Sequence, residues 1–244
     1  MSEIIPKEYK MNLTVTSDDV GKDGSMRLSA VLRYQQEAGE YHLQTASMGW
    51  QAMIAMGMVF VASRWRTAVH RLPALGEFVT LTTWHRDRKG PRFTRCYEWR
   101  DRAGVLLIEG AMQFALVAVE SHRLLRGDEF MARAPLPDTR RTVACGDPAR
   151  FAVPAALSPV GEYTVQSEDI DYNQHMNNTH YADLMLDYLP GDRVPALVDL
   201  HFAGESRLGD TVTVYGADAD GTTVVVGDNP RGRSFAARIA WGEG

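Results

Sequence analysis

Ser167-Glu168-Asp169-Ile170-Asp171-Tyr172-Asn173-Gln174-His175-Met176-Asn177-Asn178-Thr179-His180-Tyr181 is the stretch on which the reading of this chain turns. It sets a carboxylate, an amide and an imidazole at alternate positions, in Asp171, Asn173 and His175. In an extended segment alternate residues point to one side, so the three would share a face. An amphipathic run, Tyr181 to Leu189, follows directly and predicts a helix from Asn177 to Leu189. The free N–H groups at its start would aim near the same point. Such residues before a helix are also ordinary turn and capping residues. What separates the two readings is the rest of the chain.

The flanks of this stretch occur twice. Ser17-Asp18-Asp19-Val20 followed by Met26 aligns with Ser167-Glu168-Asp169-Ile170 followed by Met176, every column 150 residues apart. Leu75-Gly76-Glu77-Phe78-Val79-Thr80-Leu81 aligns with Leu208-Gly209-Asp210-Thr211-Val212-Thr213-Val214 at an offset of 133, and Asp101 with Gly104 resembles Asp228 with Gly232. Matches in the same order at a shrinking offset read as a duplication whose second copy has shorter connections. Where the second copy has Asp171, Asn173 and His175, the first has Gly21, Asp23 and Ser25. The first copy is therefore expected to supply scaffold and pocket, the second the reactive groups, with one site per chain.

Each copy reads as a strand, a long helix, then a series of antiparallel strands. In the first, Lys10–Thr16 is a strand and Ser25–Met48 a helix ended by Gly49, with Leu28, Val31, Leu32, Gln35, Ala38, Gly39, His42 and Ala46 on one face. A methionine-rich stretch follows, then strands near Val59–Val69, Glu77–Arg86, Arg92–Arg100 and Val105–Ser121, and a short helix at Asp128–Arg133. Residues 134–159 hold five of the eleven prolines and read as a surface linker. The second copy gives a strand at Glu162–Ser167, the helix stopped at Pro190-Gly191, and strands near Ala196–Glu205, Asp210–Tyr215, Thr222–Val226 and Arg233–Trp241. The expected units are 1–133, a linker 134–159, and 160–244, an α+β arrangement of two long helices, each wrapped by antiparallel sheet.

Composition narrows the function classes. The chain has 244 residues, 45% hydrophobic and 23% charged, with a net charge of −5. No global basic field recruits nucleic acid. The two cysteines, Cys96 and Cys145, form no disulfide framework. The first ten residues lack the apolar core of a signal peptide, and no apolar run reaches spanning length, so a cytoplasmic protein with no membrane span is expected. There is no metal-ligand cluster, phosphate loop or dinucleotide fingerprint, and no cofactor is expected.

A helix wrapped by antiparallel sheet, in duplicate, suggests two tandem hotdog folds. Asp169-Ile170-Asp171-Tyr172-Asn173-Gln174-His175-Met176-Asn177-Asn178 resembles the D-L-D-x-N-x-H-V-N-N signature of the fatty acyl-ACP thioesterases. Gly204-Glu205-Ser206-Arg207-Leu208-Gly209-Asp210 resembles that family's second motif, a Glu-Cys pair before a Gly/Asp turn, with Ser206 standing where the family has cysteine. Tyr34-Gln35-Gln36-Glu37-Ala38 resembles its helix, and Arg71-Leu72-Pro73 through Thr82-Thr83-Trp84 its "P…G-D…T-W" segment. The likeness runs over roughly residues 10–240.

The resemblance implies hydrolysis of fatty acyl-ACP to free fatty acid, with acyl carrier protein as partner. The alternatives are an acyl-CoA thioesterase on the same fold and a non-catalytic acyl-carrier binding protein. Catalysis would rest on Asp171, Asn173, His175 and Glu205: Asp171 with Glu205 as base on a water or as direct nucleophile, His175 orienting or protonating, Asn173 positioning. Backbone amides near Met176–Asn178 would form the oxyanion site. Trp50, Met53, Met56 and Met58 are either core or the lining of an acyl tunnel, since flexible thioethers suit irregular apolar ligands. Arg86, Arg88, Lys89 and Arg92 are either a solvated hairpin tip or a dock for an acidic carrier. A tandem chain supplies both halves of a site, so a monomer could be complete; a homodimer remains open.

Overall fold

The computed structural model describes residues 5–189, 193–219 and 221–242. The proposed stop at Pro190-Gly191 lies outside the described residues. In the first half the elements are β1 (Tyr9–Thr14), α1 (Leu28–Gln44), α2 (Trp50–Ala55), β2 (Met58–Val69), β3 (Phe78–Lys89), β4 (Arg92–Asp101) and β5 (Leu106–Ala118). A short α3 (Asp128–Arg133) follows. The second half has β6 (Ser158–Thr164), α4 (Asn178–Asp187), β7 (Pro195–Phe202), β8 (Thr211–Ala219), β9 (Thr222–Asn229) and β10 (Gly232–Trp241).

All ten strands form one sheet in the order β1-β3-β4-β5-β2-β7-β10-β9-β8-β6. Each half uses the same internal order, and the halves meet where β2 and β7 run antiparallel, Arg64 opposite His201 through Ala68 opposite Leu197. The duplication is also written in single hydrogen bonds. Val15 N–H donates to Glu77 O and Val165 N–H to Asp210 O, both at 2.9 Å; Arg27 N–H to Asp19 O and Asn177 N–H to Asp169 O, both at 2.8 Å. Isolated bridges join Val20 to Met26 and Ile170 to Met176.

Helix α1 is shorter at both ends than its periodicity suggests. Met26 N–H donates to Pro73 O and Arg27 N–H to Asp19 O, holding these residues in extended backbone, so the helix begins at Leu28. It ends at Gln44 because Ser47 takes φ 58 and Met48 N–H folds back to Leu43 O. Gly49 is not its cap but the N-cap of α2, a helix that the methionine-rich composition hid. The buried face of α1 carries Leu28, Ala30, Val31, Leu32, Gln35, Ala38, Gly39, His42 and Leu43. It packs on the sheet beside α4, and Ser29 N–H donates to Asp183 Oδ1 at 3.3 Å between the two helices. One apolar core runs through both halves, with Trp65, Tyr97, Trp99, Tyr181 and Phe235 almost wholly buried. A phenylalanine such as Phe235 contributes roughly 1.5–3 kcal/mol by leaving water.

The irregular chain after α3 lies across the opposite face of the sheet until β6 begins at Ser158. Trp84 Nε1–H donates to Arg141 O (2.8 Å), Arg66 Nε–H to Cys145 O (2.7 Å) and His201 Nε2–H to Ala149 O (2.8 Å). At the seam between the halves Asp199 is almost fully buried and receives Arg66 at 2.6 Å and Arg238 at 2.8 Å. Asp199→Ala leaves Arg66 without its counter-ion in a half-buried site. It should lower the unfolding free energy by about 3 kcal/mol, read from urea denaturation.

Candidate active site

The 171–179 stretch is not extended. Asp171 N–H donates to His175 O (3.1 Å), Gln174 N–H donates to Asp171 O (3.0 Å), and Gln174 sits at φ 65. Its counterpart Gly24 sits at φ 75, so the turn is common to both copies, and the second makes it with a glutamine. Asp171 Oδ1 accepts Asn173 N–H at 2.8 Å, which closes the bend. Asp171, Asn173 and His175 share a surface because a tight turn gathers them, not because a strand alternates.

That surface is the wall of a cavity of about 670 Å³ between the halves. The turn and the first residues of α4 form one side. Helix α1 forms the other with Gln36, Glu37, Gly39 and Glu40, and Phe60, Phe93 and Phe114 rise from the first half's sheet. Trp50 and Met53 of α2 also line it, and the Trp50 ring meets Tyr172 edge-on with centroids 4.8 Å apart. Met56 and Met58 do not line it. Met58 is buried behind the wall with Phe93, Leu116 and Phe130, and Met56 packs against that cluster.

Within the site, His175 Nδ1–H donates to Met176 O at 3.2 Å, which leaves Nε2 as the ring's acceptor. The amides of Met176 and Asn177 are already engaged, with Ser206 O and Asp169 O at 2.8 Å each. Asn177 is the N-cap of α4, its Oδ1 accepting Thr179 N–H at 3.0 Å. The oxyanion expectation therefore narrows to Asn178, whose amide at the first helical position has no intrahelical acceptor.

Glu205 is not brought to this cavity. It lines a separate, shallower cleft with Arg207, Asn229, Arg231 and Arg233, and its carboxylate stands 3.7 Å from Arg207. The backbone explains this: Ser206 O is bonded to Met176 N–H, as Pro73 O is to Met26 N–H, so Glu205 stands where Leu72 stands in the first copy. Ser206 is fully buried and its hydroxyl is held by Tyr181, Ser234 and Asn229 at 3.0–3.1 Å. It faces a polar knot behind the turn and does not line the cavity.

The basic run at 86–95 divides. Arg86 is buried and paired with Asp147 and Asp87, which removes it from any docking surface. Arg88 pairs with Asp128 at 2.8 Å. Lys89 and Arg92 are exposed. Arg95 is buried in the cavity wall beside two buried histidines, His42, which the sequence placed on the helix face without a role, and His85, which it gave no role. An isolated polar residue at a core position of a helix or strand pattern was the available signal.

Burial, with Arg95 nearby, pushes both His42 and His85 down to about 4. An unfolded imidazole titrates near 6.5. Between those values the unfolded chain binds more protons, so stability rises with pH across roughly 4 to 6.5 and is lost as pH falls through that window. His42→Asn, which keeps a side-chain acceptor, should flatten this slope in urea titrations run at a series of pH values.

The chain matches the models of the acyl-ACP thioesterase N-terminal domain over residues 6–133 and of its C-terminal domain over residues 155–229. It belongs to the acyl-ACP thioesterase family. A palmitoyl-acyl carrier protein thioesterase of Arabidopsis thaliana is 24% identical over 200 residues, 75% of this chain and 47% of that protein. A dodecanoyl-[acyl-carrier-protein] hydrolase of Cinnamomum camphora is 25% identical, over 75% of this chain and 51% of that protein. The chain thus spans about half the length of the curated relatives it matches. Among solved structures, an acyl-ACP thioesterase from Bacteroides thetaiotaomicron superposes with a TM-score of 0.87 at 16% identity, covering 97% of this chain and 98% of that one. The 12:0-ACP thioesterase from Umbellularia californica gives 0.79 at 18%, with the same coverage. These two likenesses establish the tandem hotdog fold.

Proposed function

We propose that this chain hydrolyses the thioester of a fatty acyl chain carried on acyl carrier protein, releasing free fatty acid and the carrier's thiol. The observation that carries the reading is the turn at 171–175, which gathers a carboxylate, an amide and an imidazole onto one wall of a largely apolar cavity. The cavity's size suits an acyl chain, since ligand pockets run from about 300 to 1,000 Å³.

In this mechanism His175 Nε2 takes a proton from a water whose oxygen attacks the thioester carbonyl carbon. The carbonyl oxygen becomes an oxyanion facing the Asn178 amide and the positive end of α4. Collapse breaks the C–S bond, and the imidazolium returns its proton to the departing sulfur. A thiol leaves readily, its pKa being about 8.5, so water delivery is the harder task. Asp171 keeps one carboxylate oxygen on the Asn173 backbone N–H, and its charge offsets that of the imidazolium as it forms. Asn173 positions the thioester. Glu205, one residue before the carbonyl that holds Met176, acts indirectly through the turn. His175→Ala and Asp171→Asn should each lower kcat/KM on acyl-ACP by about a hundredfold or more. Glu205→Ala should cost clearly less and leave the pH–rate profile in place. Near-wild-type rates for the first two would sink the assignment.

For carrier docking the reading rests on exposed or unpaired cations. Arg92 shares a sheet row with Ala115 and Val61, and Arg64 stands opposite His201, which bonds the carbonyl just before Arg150. Burial and the charges of Arg150 and Arg92 hold the Arg64 guanidinium below its usual range. Arg64, Arg92 and Arg150 have no ion-pair partner among the described residues, which makes them the better dock for an acidic carrier than Arg86 or Arg88. Arg92→Glu with Arg150→Glu should raise KM for acyl-ACP several-fold at low salt and leave a short acyl-pantetheine unaffected. Equal effects on both substrates would refute docking there.

A further inference from the structure

Arg95 on β4 lines the cavity, is only 6% exposed, and has no carboxylate within ion-pair distance among the described residues. Its Nη1 donates to His42 Nδ1 at 2.9 Å and to Thr83 Oγ1 at 3.3 Å, both neutral acceptors. His42 Nε2–H in turn donates to Pro6 O at 2.8 Å, which fixes the ring so that Nδ1 is the acceptor. A guanidinium carries five N–H donors, and among the described residues Nε and Nη2 of Arg95 have no hydrogen-bond partner.

His85 is the direct cross-strand partner of Arg95 on β3 and lines the same cavity, 2% exposed. Its Nδ1–H donates to Pro137 O at 3.2 Å, so in the neutral ring Nε2 is an acceptor. That nitrogen is buried and has no partner among the described residues. Helix α1 passes over this pair at Gly39, where an added Cβ would stand 3.3 Å from Arg95 Cδ and 3.4 Å from Nε. The helix therefore comes down on Arg95 without a side chain between them.

An unused donor and an unused acceptor thus belong to cross-strand neighbours in a wall that Phe60, Phe93, Phe114, Leu43 and Met53 share with polar residues of α1 such as Gln36 and Glu40. A plain methylene chain lying across them would leave both unsatisfied, which is costly in a buried site. We propose that Arg95 and His85 form a subsite for a hydroxyl group borne on the acyl chain, so that the preferred substrate is a hydroxyacyl thioester. A hydroxyl accepts from Arg95 and donates to His85 Nε2 with no change of protonation. A carboxylate would answer the charge of Arg95 but set its lone pairs against that nitrogen. The subsite rests on the thioesterase reading above and names its substrate class.

The test moves a single hydroxyl along acyl-ACP chains of fixed length and compares each with the unsubstituted chain and with an ω-carboxyacyl chain. For at least one hydroxyl position kcat/KM should exceed that of the plain chain by about tenfold or more. In Arg95→Met and in His85→Phe this ratio should fall to near one; two variants are used because either alone could misfold, which circular dichroism and melting would reveal. A plain chain preferred over every hydroxylated one, a preference for the carboxylate, or discrimination that survives in both variants overturns the subsite. If no acyl-ACP turns over, the thioesterase reading fails, and calorimetry with free hydroxy and plain fatty acids decides the subsite separately. Binding at least tenfold tighter for the hydroxy acid upholds it, and equal binding refutes it.

Discussion

Everything at the site depends on the backbone ladder between β2 and β7. It joins two half-sheets into one and sets α1 beside α4 on a single face. Without that ladder the turn at 171–175 would have no opposite wall. Its counterpart wall is α1, which belongs to the other half, and the floor is the first half's sheet. The cavity is thus a product of duplication: neither copy encloses it alone. Buried charge reinforces the seam, since Asp199 on β7 binds Arg66 on β2 and Arg238 on β10. Breaking a buried ion cluster of this kind is costly, which ties the two halves to one cooperative unit.

The two copies act as controls for each other. Their turns share backbone hydrogen bonds almost atom for atom, so the backbone at 167–177 is explained by folding alone. The side chains are not. Gly21, Asp23 and Ser25 form the same bend without an imidazole or the Asp171 carboxylate. The helix ends diverge as well. At α1 the Ser29 amide meets Asp183 of the neighbouring helix, whereas at α4 the Thr179 amide is capped by Asn177, the N-cap of its own helix. The cap at α4 comes from within, and among the described residues no carboxylate of α1 adds to it. Asn177, Asn178 and Thr179 at the start of α4 line the cavity.

Much of the fold was legible because it follows from short-range rules. Apolar periodicity marked the strands, and the paired Ser-Asp/Glu-Asp and Leu-Gly-Asp/Glu segments marked the duplication, because each segment makes a fixed set of backbone bonds. The site was legible in part. Asp171, Asn173 and His175 are close in sequence, so a single turn gathers them. Glu205 was harder. A motif fixes the backbone position, and the bond from Met176 to Ser206 O does hold Glu205's neighbour against the turn; the carboxylate nonetheless opens toward Arg207. Side-chain direction at a strand end is decided by which face is free, and sequence order does not specify that face. Met56 and Met58 illustrate the same limit, since composition marks residues as apolar without telling a cavity wall from the layer behind it.

The polar floor of the cavity was illegible for a deeper reason. His42, His85 and Arg95 come from a helix and two strands and meet only in three dimensions. Each alone reads as an ordinary residue in an amphipathic pattern. Together they keep a cation in the wall of the cavity, solvated among the described residues by an imidazole nitrogen and a threonine hydroxyl in place of an anion. A fold under no demand but stability would favour replacing such a group with packed hydrocarbon. Its position in the wall of the cavity, under the one glycine of α1, ties that unreplaced cost to what the cavity holds.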